Sequence, residues 1–103
     1  MNVISVIELS EKMARDDVYI LDVRTAQEFE LSNIGGHHIP LAELEEKVSE
    51  IDLSKEIYCL CHHGVRSLYA ANFLKNCGAE KVFNIEGGID AWSLSVDTNV
   101  RRY

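Results

Sequence analysis

Ile57-Tyr58-Cys59-Leu60-Cys61-His62-His63-Gly64-Val65-Arg66-Ser67 is an apolar run, a short loop and the start of a helix in eleven consecutive residues. The run is short enough to be a buried strand. A cysteine at its carboxyl end therefore faces the loop and the amino terminus of the next helix. A free thiol has a pKa near 8.5, and a helix amino terminus or a nearby positive charge lowers it by roughly one to several units. If the loop from His62 to Val65 curls around the Cys61 sulfur, its N–H groups make a concavity for anions, and Gly64 supplies backbone angles that other residues resist. The same cradle would hold a second anionic atom bonded to the sulfur. Arg66 opens the following helix, where its guanidinium can face the pocket mouth or pair with a carboxylate elsewhere. Spacing alone does not choose between these.

The segments on either side alternate strand and helix. Ser5-Val6-Ile7-Glu8 is a capping box, and Val6, Leu9 and Met13 follow at helical spacing, which predicts a helix to about Arg15. Val18-Tyr19-Ile20-Leu21 reads as a buried parallel strand. Thr25-Ala26-Gln27-Glu28 is a second capping box opening a short helix. Gly35-Gly36 predicts a turn, His37-His38-Ile39 a short strand, and Pro40 the start of a helix carrying Leu41, Leu44, Val48 and Ile51 on one face. After the central loop, Ala70, Phe73, Leu74 and Cys77 form a core-facing stripe, and Gly78 is placed to end that helix. Val82 to Ile85 is the last strand, Gly87-Gly88 lets the chain pass close to the loop, and Ile89 to Leu94 is a short helix with Trp92 inside. The stretch from Ser95 to Tyr103 shows no strong periodicity. Strands alternating with helices predict a parallel sheet covered on both faces. Chemistry in such folds sits at the carboxyl ends of the strands, where Cys61, Asp22 and Arg24 fall. For Arg24 the simpler reading is an ion pair with Asp22 or Glu28.

Four stretches together resemble the rhodanese (sulfurtransferase) family in its single-domain form. They are Cys61 to Ser67, Leu21-Asp22-Val23-Arg24 with Glu28-Phe29, Gly35 to Leu41, and Val82 to Gly88 with Trp92. The resemblance spans nearly the whole chain in family order. It implies an α/β rhodanese-like fold with a central, mostly parallel five-stranded sheet, and one domain over residues 1–103. It further implies that Cys61 takes a sulfane sulfur from thiosulfate or a persulfide and passes it to a thiol or cyanide. His62, His63, Gly64, Val65 and Arg66 would bind the donor, and no metal or organic cofactor is required. Cysteine phosphatases carry Cys-x5-Arg around a tetrahedral phosphate, gripped bidentately by the arginine. The loop here is Cys-x4-Arg, one residue shorter, which favours sulfur over phosphate. Thiosulfate-using members tend to place Arg or Lys beside the loop cysteine, whereas this chain has His62 and His63. Imidazole is mostly neutral at pH 7, so attraction for a dianionic donor is weaker.

Two other function classes compete. One is an interaction domain without turnover, whose usual mark in this family is loss of the cysteine present here as Cys61. The other is a soft-metal module built from Cys59, Cys61 and the pairs His37-His38 and His62-His63. Against it, adjacent histidines on extended chain face opposite ways. Cys59 reads as a buried small hydrophobe and Cys77 as core packing on its helix.

Composition narrows the partners. In 103 residues with 47% hydrophobic content there is enough chain for one core. A formal charge of −7 disfavours nucleic acid and anionic membrane surfaces. The expected partners are a small sulfur donor and a thiol acceptor, including a persulfide-carrying protein, with the chain a monomer or weak dimer. The start, Met1 to Ser5 followed by Glu8, Glu11 and Lys12, gives no sign of a signal peptide. Three unevenly spaced cysteines do not make a disulfide framework. The expected location is the cytoplasm.

Overall fold

The computed structural model describes residues 2–103. Five strands form one parallel sheet in the order β1-β5-β4-β2-β3: β1 Asn2–Ile4, β2 Tyr19–Asp22, β3 His37–His38, β4 Ile57–Leu60 and β5 Val82–Ile85. The five α-helices are α1 Val6–Arg15, α2 Ala26–Leu31, α3 Leu44–Lys47, α4 Val65–Asn76 and α5 Gly88–Ser95. From β2 the chain moves outward to β3, and from β4 it moves the other way to β5. The two halves of the sheet thus diverge between β2 and β4, and in open α/β sheets the carboxyl ends at such a divergence are the usual ligand position.

Side-chain alternation along β4 divides the interior. Ile57, Cys59 and then Cys61 face one layer with Leu44, Ile51, Ala70, Ala71 and Leu74, while Tyr58 and Leu60 face the other with Leu9, Ile89 and Trp92. All four β4 residues are buried, as expected of a central parallel strand. Cys61 therefore lies on the same side of the sheet as α4, whose amino terminus follows three residues later.

Both capping-box sequences act as helix starts. Ser5 accepts a hydrogen bond from the Glu8 N–H, and Thr25 makes the full reciprocal box with Glu28. Gly78, at a φ of +110°, ends α4.

Three local expectations differ. The predicted helix after Pro40 is broken into a 3₁₀ turn Leu41–Glu43, the single α turn of α3, and a second 3₁₀ turn Val48–Glu50. Apolar residues spaced three, four and three apart fit 3₁₀ turns as well as a continuous α-helix. Leu44 and Ile51 are buried all the same. Cys77 is exposed, not packed in the core, because it caps α4 where the chain leaves the helix. The buried stripe of α4 is Ser67, Ala70, Ala71 and Leu74. The strand Asn2–Ile4, which the pattern of residues did not announce, supplies the fifth member of the sheet by pairing with β5.

Candidate functional site

Cys61 is the first residue past β4, and its side chain is 1% exposed. The Gly64 N–H donates to its Sγ at 3.0 Å, and Ser67 Oγ lies 3.2 Å from the same sulfur. Gly64 reaches this position at a φ of +109°, in the left-handed region where a side chain is strained. Of His62, His63, Gly64, Val65 and Arg66, Gly64 alone brings its N–H to the sulfur among the described residues. The N–H groups of the first turn of α4 have no intrahelical acceptor and stand at the positive end of a twelve-residue helix.

The loop is held from behind by α5. The N–H groups of Ile89 and Asp90 donate to the carbonyls of Cys61 and His62. A Cβ on Gly88 would collide with those same two carbonyls, so only glycine permits this approach.

The Arg66 guanidinium does not face an open pocket unpartnered. It grips Glu28 of α2 bidentately, Nη1 to Oε1 at 2.6 Å and Nη2 to Oε2 at 2.8 Å. Arg66 holds the Glu28 carboxyl well below the usual carboxylate range, against the opposing effect of burial, with the Tyr103 hydroxyl adding to the effect. The same bond raises Arg66, which also feels the charge of Cys61. Arg66 thus remains a cation near the sulfur while being fixed in place by α2.

Arg24 is fully buried and bound to Asp22, with Nη2 at 2.7 Å from Oδ2 and Nε at 2.9 Å from Oδ1. Its remaining donors go to the carbonyls of Glu28 and Ser32 and to the Tyr103 hydroxyl. With every donor used, it holds the end of β2 in shape. The simpler reading from the sequence, an ion pair, applies, and Asp22 is the partner.

His62 stacks on Tyr103, with ring centroids 4.0 Å apart and 8° between planes, and meets His63 at 3.9 Å. His62 Nε2 is buried without a hydrogen-bond partner. His63 is exposed, its Nδ1 4.0 Å from Asp90. The Val65 side chain is 78% exposed beside the loop. His37 stacks on Tyr19 and His38 on Phe29, so the first histidine pair does face opposite ways. Among the described residues, no three His, Cys, Asp or Glu side chains are grouped to hold a metal ion.

Cys59 is completely buried, and burial, with the charge of Cys61 behind it, pushes its thiol up to about 12. It is a core residue.

The sequence reading did not single out three participants. Ser67 touches the sulfur, Asn84 of β5 touches Ser67 at 2.5 Å, and Tyr103 closes over His62. Asn84 did carry a signal, since a polar residue within the apolar strand Val82–Ile85 requires a buried partner. Tyr103 carried none, because its contacts are to residues far away in the chain, Arg24, Glu28 and His62.

Comparison with known proteins gives consistent matches. The signature of the family described as Rhodanese-like domain matches residues 5–95. YrkF of Bacillus subtilis, named as a candidate sulfur carrier protein, is 40% identical over 92 residues, covering 87% of this chain and 50% of that protein. The thiosulfate sulfurtransferase GlpE of Pseudoalteromonas translucida is 29% identical over 100 residues, covering 96% of this chain and 95% of GlpE. A rhodanese-like domain protein of Staphylococcus aureus, solved by crystallography, superposes with a TM-score of 0.87 at 28% identity, covering 100% of this chain and 99% of that one. The chain spans about half the length of the first curated relatives it matches, at 50%, 36% and 59% of their lengths.

Proposed function

The chain belongs to the rhodanese-like domain family, and from that premise we propose that it is a sulfurtransferase in which Cys61 carries the transferred sulfur. In this reading residues 1–103 act as one domain. The observation that supports it best is the Cys61 sulfur itself, at the β2/β4 divergence, accepting the Gly64 N–H at 3.0 Å with the amino terminus of α4 beside it.

In the first step the Cys61 thiolate attacks the outer sulfur of thiosulfate or of a persulfide. The new S–S bond forms as the donor's own S–S bond breaks, and its electron pair leaves with sulfite or a thiolate. Cys61 is then a persulfide. The unpartnered N–H groups of the first turn of α4 are available for its terminal sulfur, and Arg66 lends positive charge. Gly64 shapes the turn, while His62 and His63 flank the entrance and bias donor choice. In the second step an acceptor thiolate, or cyanide in an assay, attacks the terminal sulfur and Cys61 leaves as thiolate. Two half-reactions with one carrier give ping-pong kinetics.

The pairing of Arg66 with Glu28, together with histidine at 62 and 63, leaves little uncompensated positive charge at the entrance. A monoanionic persulfide, free or on a protein, suits this entrance better than dianionic thiosulfate. Such chemistry needs a reducing compartment, consistent with the cytoplasm. No described helix is long and apolar enough to cross a membrane.

The test is intact-protein mass spectrometry after brief exposure to thiosulfate or a small persulfide, then cyanide. Wild type gains about 32 Da, the mass of one sulfur, in the first half-reaction of a double-displacement mechanism and loses it to cyanide, while Cys61→Ser gains nothing. Loading of the Cys61→Ser protein, or failure of every donor to load wild type, would overturn the reading.

A further inference from the structure

Four hydrogen bonds close a ring through the site. The Gly64 N–H donates to Cys61 Sγ at 3.0 Å, Sγ meets Ser67 Oγ at 3.2 Å, Ser67 Oγ meets Asn84 Oδ1 at 2.5 Å, and Asn84 Nδ2 donates to the Gly64 carbonyl at 3.0 Å. Cys61, Ser67 and Asn84 are all buried.

Donor and acceptor chemistry fixes the direction of every bond. A carbonyl oxygen only accepts, so the Asn84 amide must turn its NH₂ towards Gly64 and its Oδ1 towards Ser67. Oδ1 also only accepts, so the single proton of Ser67 belongs to that bond. The Ser67 oxygen can then only accept from the sulfur side, and the Cys61 S–H is its donor. The ring is thus fully satisfied when Cys61 is a thiol.

Ionisation breaks this order. The Sγ–H bond breaks and the proton leaves to solvent, so the sulfur has a negative charge and nothing to donate. Ser67 Oγ and the thiolate would then face each other as two acceptors. The hydroxyl has a remedy within its own rotation, which is to swing its proton from Oδ1 to the sulfur.

We propose that Ser67 is a hydroxyl switch for the reactive sulfur, donating to Asn84 while Cys61 is a thiol and to Sγ once Cys61 is a thiolate, with Asn84 a positioning residue that competes for the proton. A hydrogen bond to a charged acceptor is roughly twice as strong as one between neutral groups, so the turn towards sulfur is favourable. Asn84, held in place by Gly64, opposes it. The two side chains therefore act on the sulfur with opposite sign. Ser67 favours the thiolate, and Asn84 holds it back.

The other groups around the sulfur do not belong to the ring. Arg66 on α4 and Cys59 on β4 interact with it electrostatically. The loop adds His62 and His63 with Asp90 of α5 near His63, α2 adds Glu28 on Arg66, β2 ends in the Asp22–Arg24 pair, and β5 contributes only the uncharged Asn84. They stay constant across the variants below.

This switch rests on Cys61 being the nucleophile, but it is read by alkylation and not by sulfur transfer. A protein that fails to load sulfur can still show the switch, and one that loads can lack it. The rate of iodoacetamide alkylation at Cys61, located by peptide mass mapping in a Cys77→Ser background, is followed against pH. Ser67→Ala is expected to move the midpoint upward by about one pH unit, the tenfold change that follows from losing one charge-assisted hydrogen bond. Asn84→Leu is expected to move it downward, by roughly half a unit or more, as the competing acceptor disappears. The double variant is expected to match Ser67→Ala, because in this proposal Asn84 acts on the sulfur through the Ser67 proton and not through its bond to the Gly64 carbonyl. An upward or absent shift in Asn84→Leu would overturn the proposal, since that is what simple loosening of the Gly64 loop predicts. So would an unmoved Ser67→Ala, or a double variant that departs from Ser67→Ala.

Discussion

Cys59 on β4 and Cys61 just past its end are two residues apart, face the same side of the sheet, and differ in what surrounds the sulfur. Cys59 has packing alone, and its thiol is pushed up to about 12. Cys61 has the Gly64 N–H, the Ser67 hydroxyl and the start of α4. Alkylation of the folded protein should therefore leave Cys59 unmodified from pH 6 to 9, roughly the range in which an ordinary thiol begins to react, with modification following only on unfolding. Peptide mapping checks this, and native labelling of Cys59 would mean that β4 opens locally. Cys59→Ala should cost about 1–2 kcal/mol by vacating a small buried volume and still permit sulfur loading. This contrast was legible in the sequence, because residues two apart on a strand share a face and Cys61 alone of the two stands where the strand meets the loop. The exposed Cys77 was not, since its spacing fits the apolar stripe of α4 and only the position of the helix end shows otherwise. Ser67 was equally hidden, and Asn84, a polar residue in an apolar strand, showed only that it needs a buried partner. Their relation exists only where β5 lies beside the first turn of α4.

Two glycines set the position of that turn, for different reasons. At Gly64 an added Cβ would find ordinary contacts no nearer than 3.6 Å, so the obstacle is the positive φ alone. Gly64→Ala should cost about 1–2 kcal/mol and slow loading by disturbing the N–H that meets the sulfur. At Gly88 the φ of +61° is joined by collision with two backbone carbonyls that cannot move without moving Cys61. Gly88→Ala should cost more, about 3 kcal/mol or above, as strain and overpacking add. Urea unfolding of both variants checks the order, and equal costs would mean that the approach of α5 to the loop is not tight. The sequence showed both glycines and the passage near the loop, because Gly-Gly after a strand is a strong turn signal. It did not show β1. Asn2–Ile4 buries only Ile4, so no local apolar pattern marks it, and pairing with β5 makes it a strand. Nor did it show the break-up of the segment after Pro40, where the spacing of apolar residues determines which side chains are buried but not the helix type.

At the scale of the molecule, Glu28 joins three distant parts of the chain. Its carboxylate completes the Thr25 capping box, grips Arg66 beside the Cys61 loop, and accepts the Tyr103 hydroxyl from a stretch without sequence periodicity. Because these bonds favour the charged form, Glu28 ionises in the folded protein well below its ordinary value of 4.5. A depressed carboxylate stabilises the fold at pH values above its unfolded value, and the stabilisation is lost as pH falls through the folded value. Arg66 is about a third exposed, so solvent screening limits the contribution to about 1 kcal/mol. Glu28→Gln should consequently lower the melting temperature at pH 7 by about 4–8 °C, the shift that 1 kcal/mol produces in a domain of this size. The gap from wild type should narrow steadily below about pH 4.5, as wild type surrenders by protonation what the variant has already lost. Thermal unfolding of the two proteins across that range decides the matter. A gap that stayed constant into strong acid would show that Glu28 acts through its shape and not its charge. Arg66 would then have to be held in place by some other contact.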